Sequence, residues 1–372
     1  MKSNQRDIPG LRFPEFVETW DARTLGKVAD FLDERRRPLK ESDRSKMSGP
    51  YPYYGASGII DYVNDFIFDD ELILLGEDGE NILSRALPLA FRVSGKCWVN
   101  NHAHVVKPKE GTSIDFLCHY LENISYVEYN TGTAQPKLNQ EVCKRIPLRL
   151  PTLPEQQQIA AFLSAVDEKI TRLARKKELL LKYKKGVMQH IFSQEIRFKD
   201  DNGKHFPDWE EKEIMEVAPL QRGFDLPVDK IIGGEFPVVF SNGILRTHSE
   251  AKAKAPGVVT GRSGTIGKVI YVEKDYWPHN TSLWVTDFKG NHPKFIFYFY
   301  INFKLERFAT GSGVPTLNRN DVHTQKALIP NSSEQIKIAN FISAIDEKIN
   351  LVNQQLEKTR AFKKGLLQQM FV

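Results

Sequence analysis

One block of this chain occurs twice. Residues Glu155–Ile170 return as Glu334–Ile349 at a constant offset of 179, with 11 of 16 positions identical. An offset near half of 372 residues requires two large units of one plan, because solenoid repeats have periods of about 20–50 residues. The likeness runs beyond this block. Phe13-Pro14 before Trp20, Val28 and Ala29 matches Phe206-Pro207 before Trp209, Val217 and Ala218. Tyr53 to Gly58 matches Val238 to Gly243, and Leu75-Gly76 with Gly79 matches Thr260-Gly261 with Gly264. Trp98 and Asn101 match Trp277 and Asn280. Thr131-Gly132, Pro136 and Leu138-Asn139 match Thr310-Gly311, Pro315 and Leu317-Asn318.

Each half reads as a globular domain followed by a helix. In the globular parts, short β-branched and aromatic runs alternate with Gly, Asn, Asp and Pro, which predicts strands and turns. Strands are expected over 66–75, 96–107, 257–260, 268–272 and 283–286, and helices over 113–120 and 293–304. The fold class is α+β, two similar mixed domains.

The repeated block opens a heptad pattern. Ile159, Val166, Leu173, Leu180 and Val187 fall seven apart, with Leu163 and Ile170 on the second seam line. Ile338, Ile345, Val352 and Leu366 do the same in the second block, accompanied by Ile342, Ile349 and Leu356. Lys177, Lys184 and Lys363 interrupt these lines. A heptad held over five repeats predicts a coiled coil, and the other copy supplies the partner helix. Thr152 with Glu155, and Ser332 with Gln335, have the spacing of capping boxes. The connection from the first helix into the second domain favours an antiparallel pair with pseudo-two-fold symmetry. That arrangement sends the domains to opposite ends of a rod roughly 58 Å long.

The bulk numbers exclude several classes. A hydrophobic fraction of 41% provides real cores, and a net charge of +5 with pI ≈ 8.8 permits a nucleic-acid partner. Cys97, Cys118 and Cys143 have neither disulfide nor zinc spacing, which fits a reducing cytoplasm. No apolar run of about 18 residues predicts a membrane span, and the first residues lack the apolar core of a signal peptide. Residues 261–268 superficially resemble a phosphate loop. They fail its pattern, because Arg262 stands where the first glycine is needed and Val269 follows Lys268. The expected structure is a glycine-rich turn between strands, which leaves nucleotide binding as the less favoured enzyme reading. His102 and His104 are two apart but have no third ligand group at metal-site spacing. Two copies of one surface suit a nearly two-fold partner, and duplex DNA is one.

Two variable globular domains, each followed by a helix, carry a shared pair of signatures. Each helix opens Pro-x-x-x-Glu-Gln-x-x-Ile-Ala. The helices close at Lys184-Lys185-Gly186 with Gln189 and at Lys363-Lys364-Gly365 with Gln368. With the Thr-Gly-x-x-x-Pro-x-Leu-Asn element, this resembles the specificity subunit of type I restriction–modification systems over nearly the whole chain. The resemblance implies target-recognition domains at 1–150 and 198–329, with long helices at 151–197 and 330–372. Each domain would read half of a split double-stranded DNA target. The helices would set the unread spacer and dock two methyltransferase subunits, and through them restriction subunits. S-adenosylmethionine, ATP and Mg would sit on those partners, and this chain would hold no cofactor and do no bond chemistry. The alternative reading is a coiled-coil adaptor without DNA.

Loop position and chemistry then select the candidate DNA contacts. In the first half they are Tyr53, Tyr54, Ser57, Asp78, Asn81, Asn101, His102, Thr131, Gln135 and Lys137. In the second they are Ser241, Asn242, Arg262, Ser263, Thr265, Lys268, His279, Asn280, Thr310, Ser312 and Thr316. The loop Glu77 to Asn81 is acidic where its counterpart is basic, so two different half-sites are expected.

Overall fold

The computed structural model describes residues 8–311 and 313–371. The chain forms two compact units. The first runs to Ala174 and takes in the chain from Gln354 onward, and the second is Arg175–Asn353.

The first unit is built on a six-stranded sheet. Its order is Ala29–Phe31, Ala103–Pro108, Phe68–Gly76, Ala90–Val99, Ser48–Gly55 and Gly58–Val63. Phe68–Gly76 lies between two antiparallel neighbours. Its residues Leu72 to Leu75 are all buried, as expected of a strand covered on both faces. Ile73 and Leu75 pack with Leu117 and Leu121 of the helix Ile114–Asn123, while Leu72 and Leu74 face Val93 and Val105. The strand expected over 96–107 is two strands, because the turn at residues 100–102 reverses the chain.

The second unit repeats this plan with one break. The counterpart of Ala90–Val99 is split into Val269–Val272 and Trp277–Pro278. One sheet therefore becomes a four-stranded and a three-stranded sheet. The helix Pro293–Phe303 covers it and buries Phe295, Ile296, Tyr298, Phe299 and Tyr300. Val269–Val272 is a strand, which removes the helix that a phosphate loop would need after Lys268.

The long helices are Leu153–Phe192 and Ser332–Met370. Each unit contains part of both, running antiparallel. In the second unit Lys177 Nζ donates to Asn353 Oδ1 at 2.5 Å and Lys184 Nζ to Asp346 Oδ1 at 2.6 Å. Seven residues along one helix match seven back along the other. In the first unit Lys363 Nζ lies 2.6 Å from Asp167. Lys184 and Lys363 are repeat counterparts, as are Asp346 and Asp167. Two of the three lysines that interrupt the heptad lines, Lys184 and Lys363, thus make one ion pair twice, with their stems along the apolar seam. Ile159, Leu163, Val166, Val187, Ile338, Ile342, Ile345, Ile349, Val352, Leu356 and Leu366 are buried, while Ile170, Leu173 and Leu180 are partly exposed.

The expected capping boxes do not form, because the Glu155 and Gln335 side chains turn inward. Asn331 caps the second helix by accepting from the Glu334 N–H at 3.0 Å. Glu155 instead receives Arg12 at 2.7 and 2.8 Å and the Trp20 indole N–H at 3.2 Å. Its counterpart Glu334 receives Arg197 at 2.9 and 3.0 Å and the Trp209 indole at 3.0 Å. Both carboxylates are fully buried. The adjoining Gln156 accepts from Ser113 N and donates to Gly111 O. Gln335 accepts from His292 N and donates to Asn291 Oδ1. The Glu-Gln pair therefore ties each globular part, front and back, to the first turn of its helix.

Candidate nucleic-acid interface

Four segments meet at the end of each sheet, held by main-chain bonds that recur in both units. In the first unit they are the hairpin tip at Ala56–Ser57, the turn 100–102, the glycine loop 76–81 and the loop 131–138. Glu77 N donates to His102 O at 2.9 Å, Leu138 N to Glu77 O at 2.7 Å, and Gly79 N to Pro136 O at 3.0 Å. In the second, Arg262 N donates to Thr281 O at 2.9 Å, Leu317 N to Arg262 O at 2.8 Å, and Gly264 N to Pro315 O at 3.0 Å. The glycine loop and the Thr-Gly-x-x-x-Pro loop are therefore one surface, bridged at Asp78 with Lys137 and at Ser263 with Thr316. Glycine is needed where the hairpin tip crosses. A Cβ at Gly261 would lie 1.6 Å from Thr265 O and 3.2 Å from Ser241 O, and one at Gly76 would lie 2.9 Å from Ala56 O.

The side chains on this common backbone differ. In the first unit His102 Nδ1 sits 2.8 and 3.0 Å from the Asp78 carboxylate, and Lys137 Nζ is 3.3 Å from Glu77. Asn101, His102, Thr131, Gln135 and Lys137 are exposed; Tyr54, Ser57 and Asp78 are half-buried. Asn81 closes a loop present only in this unit, binding Leu87 through both its amide nitrogen and oxygen at 3.0 and 2.8 Å. The expectation for Tyr53 is corrected. It is 1% exposed, its hydroxyl accepts from Leu39 N at 3.0 Å, and Arg44 lies over its ring, so its face is unavailable to a base.

In the second unit Asn242, Thr265, Lys268, Thr310 and Thr316 are exposed, while Ser241, Arg262, Ser263, His279 and Asn280 are half-buried. Lys268 Nζ donates to Asn242 O at 2.6 Å. His279 packs at a tilt against Phe240, ring centres 4.3 Å apart, and burial lowers its pKa, keeping it neutral at pH 7. Asn280 donates to Asp225. Ser312 lies outside the described residues.

Beneath the first cradle lies a charged network that no local motif announces. His104 bonds Asp33 at 2.6 Å and Leu138 O at 2.8 Å. Arg36 bonds Glu77 at 2.6 Å. Asp33, Glu77 and His104 place ligand atoms within 4.8 Å of one another. Arg36 and Lys137 already neutralise these carboxylates and both imidazole nitrogens are engaged, so the group is built as an ion-pair cluster rather than a cation site.

The family described as the type I restriction modification DNA specificity domain matches residues 17–182 and 207–359. The chain belongs to this specificity-subunit family. A putative type I restriction enzyme specificity subunit of Haemophilus influenzae is 28% identical across 96% of this chain and 94% of its own. The MjaVIII specificity subunit of Methanocaldococcus jannaschii is 24% identical across 98% and 94%. The type I system S subunit from M. genitalium shares the fold, with a TM-score of 0.69 at 15% identity, covering 98% of this chain and 99% of that one. As a specificity subunit the chain is a DNA target-recognition protein of a non-catalytic family, and the nucleotide-enzyme and adaptor readings are not favoured. No helix among the described residues is long and apolar enough to cross a membrane.

Proposed function

We propose that each unit of this specificity subunit reads one half of a split, asymmetric DNA target through its four-segment cradle. One observation carries the reading: identical main-chain bonds build both cradles, while the side chains they present differ in charge and shape. Constant main chain supplies position and variable side chains supply base choice.

The long helices set the unread interval and dock two methyltransferase subunits. Support comes from exposed aromatics at helix positions related by the 179-residue repeat, Phe162 with Phe341 and Tyr183 with Phe362. A repeated apolar patch suits two copies of one partner. Those partners bring S-adenosylmethionine, and restriction subunits bring ATP and Mg; this chain positions them in the cytoplasm.

The test is single-molecule sequencing of adenine methylation in cells carrying this chain with its methyltransferase, compared with cells lacking only this chain. A split motif with a fixed gap, present only with the chain, is expected; methylation indifferent to the chain would defeat the reading. Inserting four residues at Leu173 lengthens the helix by about 6 Å. The gap should grow by one or two base pairs while both half-sites stay the same. An altered half-site with an unaltered gap would rule out the helix as the ruler.

A further inference from the structure

The repeat puts opposite charges behind the two cradles. Arg222 pairs across the sheet with Leu283. Leu283 is the 179-residue counterpart of His104, so Arg222 stands where Asp33 stands in the first unit. The same offset turns Gln140 into Arg319, and the glycine loop turns Glu77 into Arg262. In the first unit this place is closed by its own ion pairs. In the second, Arg222, Arg262 and Arg319 line one open cavity of ≈ 590 Å³, with Leu283 behind them and Thr316 and Asn318 beside them.

Three guanidiniums around one cavity repel one another unless an anion lies between them. Asp225 answers only Arg222, at 2.8 Å, and shares its carboxylate with the Asn280 amide. Arg262 donates weakly to Asn280 O at 3.4 Å. The Arg319 guanidinium makes no hydrogen bond or ion pair with another described residue, and its charge lowers the pKa of nearby His323. A guanine edge is satisfied by one bidentate arginine. A backbone phosphate spreads one negative charge over two oxygens, each able to accept several such donors, and hydroxyl and amide groups like those of Thr316 and Asn318 are ordinary phosphate contacts.

We infer that the Arg222–Arg262–Arg319 pocket is a clamp for one backbone phosphate of the DNA at the second cradle. The inference rests on the DNA-reading function proposed above. The first unit has no equivalent clamp, because acidic groups and their partners fill the same place. Anchoring to the DNA backbone is therefore lopsided, with the second half-site carrying the more salt-sensitive share.

The test measures binding of the chain, complexed with its methyltransferase, to a duplex carrying its own motif and to a scrambled duplex, by fluorescence anisotropy between about 50 and 200 mM salt. Arg319→Gln should weaken both duplexes by a similar factor and reduce the slope of log affinity against log salt by about 1. Arg319→Lys should retain most of that slope, and the methylated motif should be unchanged in both. Arg222→Gln, also at an exposed position, should repeat the result. An unchanged slope overturns the clamp. Loss confined to the cognate duplex, with a relaxed second half-site, overturns it in favour of base reading. If the unaltered complex bound neither duplex, the DNA-reading function itself would fall and the clamp with it, which is distinguishable from tight binding with an unaltered slope.

Discussion

Arg197→Ala should lower the unfolding free energy by about 3–5 kcal/mol, the usual loss when one partner of a buried pair is removed. Its carboxylate, Glu334, has a side chain only 1% exposed. Without the guanidinium, a buried negative charge would keep only the Trp209 indole N–H among its present side-chain donors. Arg12→Ala should do the same through Glu155, whose side chain is fully buried. The comparison is Arg172→Ala, which removes an exposed pair to Glu168 one helical turn away and should change stability by no more than about 0.5 kcal/mol. Denaturant midpoints at constant slope decide the matter. Equal shifts for Arg197→Ala and Arg172→Ala would mean that the lock is an ordinary surface pair. Replacing Arg197 and Glu334 together by apolar residues of similar volume should recover much of the loss, since a well-packed apolar pair escapes the desolvation penalty.

His104→Leu installs in the first unit the residue that the second carries at Leu283, and should destabilise by about 3 kcal/mol. Burial opposes the imidazolium, but the hydrogen bond that His104 donates to Asp33 and the contact with Cys143 outweigh it, raising the pKa to about 10. Burial likewise works against the Asp33 carboxylate, and His104, the Val105 N–H and Arg36 overcome it, lowering its pKa. The pH dependence follows from these signs. A histidine raised in the folded state contributes fully below its unfolded pKa of about 6.5. That contribution declines as pH rises and is gone above about pH 10. The Asp33 contribution is present above the ordinary aspartate value of about 4 and is lost as pH falls through its lowered one. The unaltered chain should therefore lose its advantage over His104→Leu between about pH 6.5 and 10; a difference constant over that window would contradict a charged His104. His104 also holds Leu138 O, so the loop 131–138 should loosen. Methylation sequencing should show a degenerate first half-site beside an unchanged second one.

Much of this architecture was legible because its signals are local or repeated. The seven-residue spacing found both long helices, and the 179-residue offset found corresponding loops before any contact was known. Interactions between remote residues were not legible. Lys184 and Lys363 looked like flaws in a seam because their aspartates lie on the other helix. Glu155 had the spacing of a cap, and only the fold brings Arg12 and Trp20 to it. Asp33, Arg222 and Arg319 escaped notice for a related reason. The offset between halves is 189 at Trp20 and Trp209, which aligns Asp33 with Arg222, and falls to 179 at Trp98 and Trp277, so counting pairs these residues one by one but only the sheet register sets Arg222 beside Leu283, the counterpart of His104. Tyr53 was misjudged because strand alternation shows which residues share a face but not which face is covered.

The bonds that build each cradle run between main-chain atoms, so they place few demands on which side chains stand there. Gly76 and Gly261 are constrained by close approach, whereas Gln135, Asn242 and Thr265 project from a framework that is indifferent to them. Substitutions at exposed positions of this kind usually change stability by no more than about 0.5 kcal/mol. New addresses can therefore be tried by drift at the tips without jeopardising the fold beneath them, which makes recognition the most evolvable property of this chain.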